Sequence, residues 1–370
     1  MPTKTASMLA ALRRLTVTGT VAAMTLAAAA PVFANPRIVV DAQTLRVIDH
    51  EDAFHRWYPA SLTKLMTAYV AFDAVRSGQL SMESLVTMSK RAADQPASKM
   101  YYKPGQQMTL DSALKMLLIK SANDVAVAIA ETVGGSQEAF VERMNRQALA
   151  LGMTSSHFIN PNGLPGKGQY TTARDLAVLA VSIKREFPQY SAYFSYEGFS
   201  TGKKNYPNYN LLIGRFDGAD GMKTGFICAS GFNQVSSATR NGRTVVSVVL
   251  GTESLGARAD MSADLLQKAL NTGGNAGLTL RTLQPYGADR DTVADISAEI
   301  CSAKGKKVRS EGRDEVGRMK MHSPYIHEMT REPNYVFAGL VPGSEAKPDK
   351  TASAGELVNV PIPMPRPATF

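Results

Sequence analysis

"YPASLTKLM" (residues 58–66) sets Ser61 and Lys64 three residues apart, directly after Pro59 and Ala60. Two readings fit. Ser61 could cap a helix while Lys64 lays its stem along the surface. Alternatively, Ser61 is a nucleophile and Lys64, one helical turn on along the same face, is its base. The same S-x-x-K spacing recurs at Ser112, Ser200 and Ser344, so spacing alone does not decide.

The surroundings separate the four pairs. Upstream of Ser61, Val39-Val40, a turn at Asp41-Ala42-Gln43, then Leu45 and Val47 read as a strand hairpin. Downstream, residues 61–77 read as a helix with Leu65, Met66, Tyr69, Val70 and Val75 on its apolar side. A pair between a hairpin and a strongly apolar helix places Lys64 in the interior. Burial disfavours the ammonium and lowers its pKa, as a general base requires.

Beyond this helix the period stays helical for about 110 residues. Segments 109–119 (with Thr109 as N-cap), 121–134, 136–152 (capped by Ser136) and 172–187 (halted by Pro188) each predict a helix. The pattern then alternates. "GFNQVSSATRNGRTVVSVVLG" (231–251) predicts two strands about the turn Asn241-Gly242, and 257–271 a last helix. Hairpin, helical block, strands and helix in that order predict an α+β fold: an antiparallel sheet flanked by helices, with a helical subdomain over about 75–200. After residue 272 periodicity fades into Gly, Pro, Ser and mixed charge, and a partly disordered appendage over 273–370 is expected, with a small strand-rich module as the alternative.

At 370 residues, 44% hydrophobic and 20% charged, the chain reads as globular with one to three domains. Its net charge of +9 raises nucleic acid as a partner, but zinc-finger spacing, a phosphate-cradling glycine loop and a basic helix are all missing from the sequence. Residues 1–34 have a basic start (Lys4, Arg13, Arg14), an apolar run and the small-residue ending Val32-Phe33-Ala34. They read as a secretory signal cleaved after Ala34, leaving 9 − 3 = +6 on residues 35–370; the alternative, an uncleaved anchor, fits less well because the apolar run is short for a bilayer. That charge would favour loose association with anionic wall polymer or the outer surface of the inner membrane. In an exported chain Cys228 and Cys301 could pair, though sequence does not fix their distance. The five histidines show no helical ligand spacing, and no metal site is expected.

Two further motifs weigh on Ser61. "SAN" (Ser121–Asn123) is the chain's one S-x-N, and "KTG" (Lys223–Gly225) is also unique. Taken singly, Ser121 could be an N-cap, and the KTG lysine could protect an edge strand. S-x-x-K, S-x-N and K-T-G in this order, in an exported chain with helices between, resemble the penicilloyl-serine superfamily. More narrowly, residues 35–272 resemble the low-molecular-mass penicillin-binding proteins that are serine-type D-alanyl-D-alanine carboxypeptidases. "PGQQMTLDSALKMLLIKSANDVAVAIAE", "MNRQALALGMTSSHFINPNGL", "DGADGMKTGFICASGFNQVSSA" and "GARADMSADLL" extend the likeness. Residues after 272 do not visibly match that family's usual second domain and amphipathic anchor.

The resemblance implies a β-lactamase/transpeptidase-like fold and a set of roles. Ser61 would be acylated, Lys64 its base, and Ser121 a proton relay to the leaving amine. Asn123 would bind the substrate's acyl-side amide. Lys223 would supply positive potential; Thr224 and Arg258 would grip the terminal carboxylate. Backbone N–H groups of Ser61 and Phe226, beside Gly225, would form an oxyanion hole. Stem peptides of peptidoglycan ending in D-Ala-D-Ala would be substrates, β-lactams covalent inhibitors, and the periplasm the location, with no cofactor. Phe226 stands where many relatives carry histidine, Ala122 where glycine is common, and Asn162 where some carry histidine. No E-x-x-L-N segment supports a class A β-lactamase. A D,D-endopeptidase and a non-catalytic wall-binding protein remain as alternatives.

Overall fold

A computed structural model describes residues 35–272, 277–311, 314 and 319–344. The expected signal segment and the last 26 residues lie outside them. The hairpin is β1 (Arg37–Asp41) and β2 (Val47–Glu51), paired antiparallel. Asp41 makes its turn by accepting from the Gln43 and Thr44 backbone N–H groups at 3.1 and 2.8 Å, an Asx turn.

A 3-10 turn, Ala60–Thr63, then leads into α1 (Lys64–Arg76). The predicted helix is present, but it is not one-sided: Lys64 through Ala71, Phe72 and Ala74 are all buried. A helix covered on every side is a core helix, and α1 lies against helices of the block that follows. That block starts with the short pair β3 (Leu85–Thr87) and β4 (Gln107–Thr109), with α2 (Lys90–Ala93) between them. Next come α3 (Leu110–Lys115), α4 (Asn123–Gly134), α5 (Gln137–Ala150), α6 (Ala173–Glu186) and α7 (Ala192–Ser195). Thr109 Oγ1 and Ser136 Oγ cap α3 and α5, each accepting at 3.1 Å, as predicted. The helix expected over 109–119 is instead α3 followed by a π turn, Met116–Lys120, and that extra residue per turn determines where Ser121 points.

After the short β5 (Gly198–Ser200) and β6 (Asn205–Pro207) come the long strands β7 (Ala219–Ile227), β8 (Gly231–Arg240) and β9 (Arg243–Thr252). Asn241-Gly242 closes the β8–β9 hairpin, both residues at positive φ. The five-stranded antiparallel sheet has the order β2-β1-β9-β8-β7, so β7 is an edge. Alternation along the strands gives the sheet two apolar faces. Ile38, Val40, Val246 and Val248 meet the helical block. Val39, Val245 and Val249 meet Ala259, Ala263 and Leu266 of α8 (Leu255–Asn271), which starts two residues before the predicted 257. An antiparallel sheet with helices on both faces is the predicted fold class.

The appendage expected beyond residue 272 is, where described, laid against this body. Leu280, Leu283, Ala294, Ile296, Ile300 and Ala338 are buried in the main core. After the short helices α9 (Ser297–Ile300) and α10 (Ala303–Glu311), β10 (Tyr335–Phe337) adds to β5 in parallel. Cys228, just after β7, is disulfide-bonded to Cys301, just after α9. The bond closes a 73-residue separation. The variant Cys228→Ser/Cys301→Ser should therefore lose about 2–5 kcal/mol of unfolding free energy in urea titration. A loss under about 0.5 kcal/mol would show that the link adds nothing to the packing of this segment.

Candidate active site

The 3-10 turn is clasped by two glycines. At Gly163 (φ +85°) a Cβ would lie 1.8 Å from the Ala60 carbonyl oxygen. At Gly225 of β7 it would lie 3.1 Å from the Ser61 nitrogen. Ala60 itself sits at φ 46°, a costly backbone state for a residue with a Cβ, immediately before the serine. Neither this turn nor α1 has a side-chain cap, so the Ser61 hydroxyl is not used in capping.

Lys64 is wholly buried. Its Nζ lies 3.1 Å from Ser61 Oγ, 2.7 Å from Asn123 Oδ1 and 2.6 Å from the Asn162 carbonyl oxygen. Burial pulls the amine down to about 7, with the nearby Asp124 charge acting the other way. The partner set then fixes its geometry. A neutral amine has two N–H groups and one lone pair. Both carbonyl oxygens can only accept, so they take the two N–H groups, and the lone pair is left facing the Ser61 hydroxyl.

Three neighbours hold this arrangement. Thr67 Oγ1 donates to the Pro161 carbonyl at 2.6 Å, tying the Asn160–Leu164 loop to α1. Asn123 Nδ2 donates to the Pro96 carbonyl at 3.0 Å, which orients its Oδ1 toward Lys64. Asp124, fully buried, accepts from the Met100 and Tyr101 backbone at 2.8 and 3.1 Å and pins the 98–101 segment to the start of α4. Burial holds its carboxyl above the ordinary value.

Ser121 follows the π turn in the left-handed conformation (φ 65°, ψ 38°), and Ala122 takes the cap position of α4. Among the described residues, its buried Oγ has no hydrogen-bond partner. Lys223 and Arg258 are 1% and 2% exposed, which for cations without a carboxylate partner among the described residues demands an explanation. Lys223 Nζ donates to the Thr224 carbonyl at 2.8 Å, and an Arg258 guanidinium nitrogen to the Tyr209 carbonyl at 3.4 Å, while Arg258 Nε is unpaired. Burial first, then Lys64 and Arg258, push the Lys223 amine well below its usual range. Burial alone brings Arg258 to about 9. An anion placed among them would relieve both desolvation and mutual repulsion.

Ser61, Ser121, Asn123, Thr224, Gly225, Phe226 and Arg258 line one cavity of about 700 Å3, and Lys64 and Lys223 lie behind its wall. All nine residues named from the sequence thus meet at one place. The other three serines of the S-x-x-K pairs do not line it: Lys115 pairs with Asp111 at 2.6 Å, Ser200 Oγ accepts from the Gly202 N–H at 3.1 Å, and Ser344 Oγ accepts from the Gln107 backbone. KTG lies within β7, an edge strand of the sheet. Sequence reading missed the Asn162 carbonyl as a partner of Lys64 and Gly163 as the clasp, although "NPNG" (160–163) marks a turn there. Among the described residues, no group of His, Cys, Asp or Glu could hold a metal ion.

A hydroxyl beside a buried amine of lowered pKa, in a cavity that also holds the buried Arg258, has the parts of a serine acyl-transfer site. The comparisons narrow that class. Residues 23–254 match the D-alanyl-D-alanine carboxypeptidase family model, and the chain belongs to that family. The D-alanyl-D-alanine carboxypeptidase DacC of Escherichia coli is 36% identical over 242 residues, 64% of this chain and 60% of the relative. The chain thus matches about three-fifths of that protein's length. The crystal structure of DacD from Francisella tularensis covers 65% of this chain and 71% of its own, with 34% identity and a TM-score of 0.62. A Listeria monocytogenes penicillin-binding protein in its ampicillin-bound form covers 64% and 96%, with 27% identity and a TM-score of 0.58.

Gly163→Ala tests the clasp. Positive φ and the contact with Ala60 should together lower unfolding free energy by about 1–3 kcal/mol or more in urea titration. A change below about 0.5 kcal/mol would mean that the 160–164 loop yields freely and does not hold the turn.

Proposed function

We propose that the protein is an exported serine D-Ala-D-Ala carboxypeptidase that trims the terminal D-alanine from peptidoglycan stem peptides. The observation that carries this reading is the Lys64 amine, with both N–H groups held by carbonyl oxygens and its lone pair on Ser61. Family membership supports the reaction class. Export rests on the sequence of residues 1–34, and no helix among the described residues is long and apolar enough to cross a membrane.

In this mechanism the substrate's C-terminal carboxylate binds at Arg258 and Thr224 in the cavity, with Lys223 behind the wall adding to the positive potential. That contact selects peptides with a free C-terminus. Lys64 accepts the Ser61 proton as Oγ attacks the penultimate D-alanine carbonyl. Backbone N–H groups of Ser61 and Phe226 stabilise the oxyanion, each such donor being worth ~2.7–4 kcal/mol in other serine enzymes. The C–N bond breaks, and the proton reaches the leaving amine through Ser121, whose unpaired hydroxyl can both accept and donate. Water, deprotonated by Lys64, then hydrolyses the ester and frees Ser61. Asn123 serves here as the orienter of Lys64, in addition to the amide-binding role expected of it. β-Lactams present a strained amide beside a carboxylate and should acylate Ser61. Peptidoglycan and the periplasm are the partner and place that this chemistry fits.

One experiment separates an enzyme from a non-catalytic binder. Wild type should label covalently with fluorescent penicillin, and Ser61→Ala should not. The labelling rate should fall about tenfold per pH unit below pH 7, because protonation removes the Lys64 lone pair. Equal labelling of both proteins, or a flat profile from pH 5 to 8, would overturn the assignment.

A further inference from the structure

The cavity continues past Arg258, and part of its wall comes from a segment outside the family match. Residues 319–337 run as a strap along its far side. The Asp260 carboxylate accepts from the backbone N–H groups of His322 and Ser323 at 3.0 Å, and Ser323 Oγ donates to Asp264 at 2.7 Å. The His327 N–H donates to the Arg215 carbonyl at 2.8 Å. Arg331 grips Glu197 with two hydrogen bonds of 2.8 and 2.5 Å, and Asn334 adds a third at 2.6 Å. β10 then pairs with β5. The strap thereby crosses from α8 to the Glu197 rim.

Its inward side chains are apolar. Met319, Met329 and Pro333 line the same cavity as Ser61 and Arg258. A Cβ at Gly256 would lie 2.9 Å from the Lys320 carbonyl and 3.5 Å from Met319 Sδ, so the strap packs on the first turn of the helix that carries Arg258. Met329 packs on Gly214. Opposite, Phe226 is 40% exposed and its ring lies 4.2 Å, centre to centre, from that of Phe232. Leu255 and Ile213 complete this side of the cavity. Glu197 is matched by Arg331, and half-buried Arg215 is the other charged group on that rim. The carboxylate of a leaving residue held at Arg258 would therefore set its side chain beside an apolar wall that includes two adaptable thioethers.

We propose that the strap makes Met319 and Met329 specificity-determining residues for the leaving group, admitting stem peptides that end in a bulky apolar D-amino acid as well as D-alanine. This rests on the carboxypeptidase reading of the site. Each methylene buried against such a wall is worth about a factor of four in binding, so the three extra carbons of D-leucine offset the loss of fit that a pocket shaped for D-alanine alone would impose.

The test compares acyl-L-Lys-D-Ala-D-Ala with acyl-L-Lys-D-Ala-D-Leu, reading the free D-amino acid released. Full-length wild type should process the two with kcat/KM values within about tenfold of each other. Met319→Ala/Met329→Ala should lower the D-leucine value at least fivefold while the D-alanine value changes less than threefold. Met319→Gln/Met329→Gln, which keeps size and adds polarity, should lower it further. Penicillin labelling of all three proteins reports an intact site. If they label and release D-alanine, but wild type handles D-leucine over a hundredfold more slowly or neither variant shifts the ratio, the inference about the strap is wrong and the function stands. If none labels and none releases an amino acid, the reading of the site fails and the inference with it.

Discussion

A neutral amine donates two hydrogen bonds, and in Lys64 both are taken by carbonyl oxygens that cannot donate back. The site depends on lowering that amine's pKa and aiming its lone pair at Ser61. The charge is suppressed by burial, and burial requires a helix covered on all sides, which is what α1 is. The aim is set by three segments far apart in sequence: the start of α4, the 160–164 loop and the turn before α1. The sheet fixes the remaining side, because β7 is its edge and brings Gly225 against that turn.

The same region holds groups that a structure selected for stability alone would avoid. Lys64, Lys223 and Arg258 are buried, and among the described residues Ser121 Oγ and Arg258 Nε have no hydrogen-bond partner. Ala60 and Ser121 both take positive φ. Each costs free energy in folding, and under the proposed function each would be relieved or used by an anionic substrate, the usual trade between stability and activity. The surrounding core supplies the compensation. The residues around α1, α4 and α6 are tightly buried, and both faces of the sheet are covered.

Much of this was legible in the sequence because it is local. The Asn241-Gly242 hairpin, the Thr109 and Ser136 caps and the β1–β2 hairpin each follow from residues within one turn of one another. The order S-x-x-K, S-x-N, K-T-G pointed to one site even though no single motif was decisive. What stayed unread is non-local or carried by backbone. A carbonyl has no residue signature, so Asn162 could not be recognised as a partner of Lys64. The π turn that frees Ser121 from capping leaves the apolar period of 109–119 intact. The strap has little periodicity, and its placement depends on the parallel β10–β5 pairing and on single contacts such as Arg331–Glu197, which join residues more than a hundred apart.

The most direct test of this account is the titration of one nitrogen. The Nζ resonance of Lys64, assigned in nitrogen-15-lysine-labelled protein by its loss in Lys64→Met, should move through a midpoint near pH 7. A midpoint near the ordinary lysine value of about 10.4 would mean that the amine is charged at rest, with no lone pair for the serine.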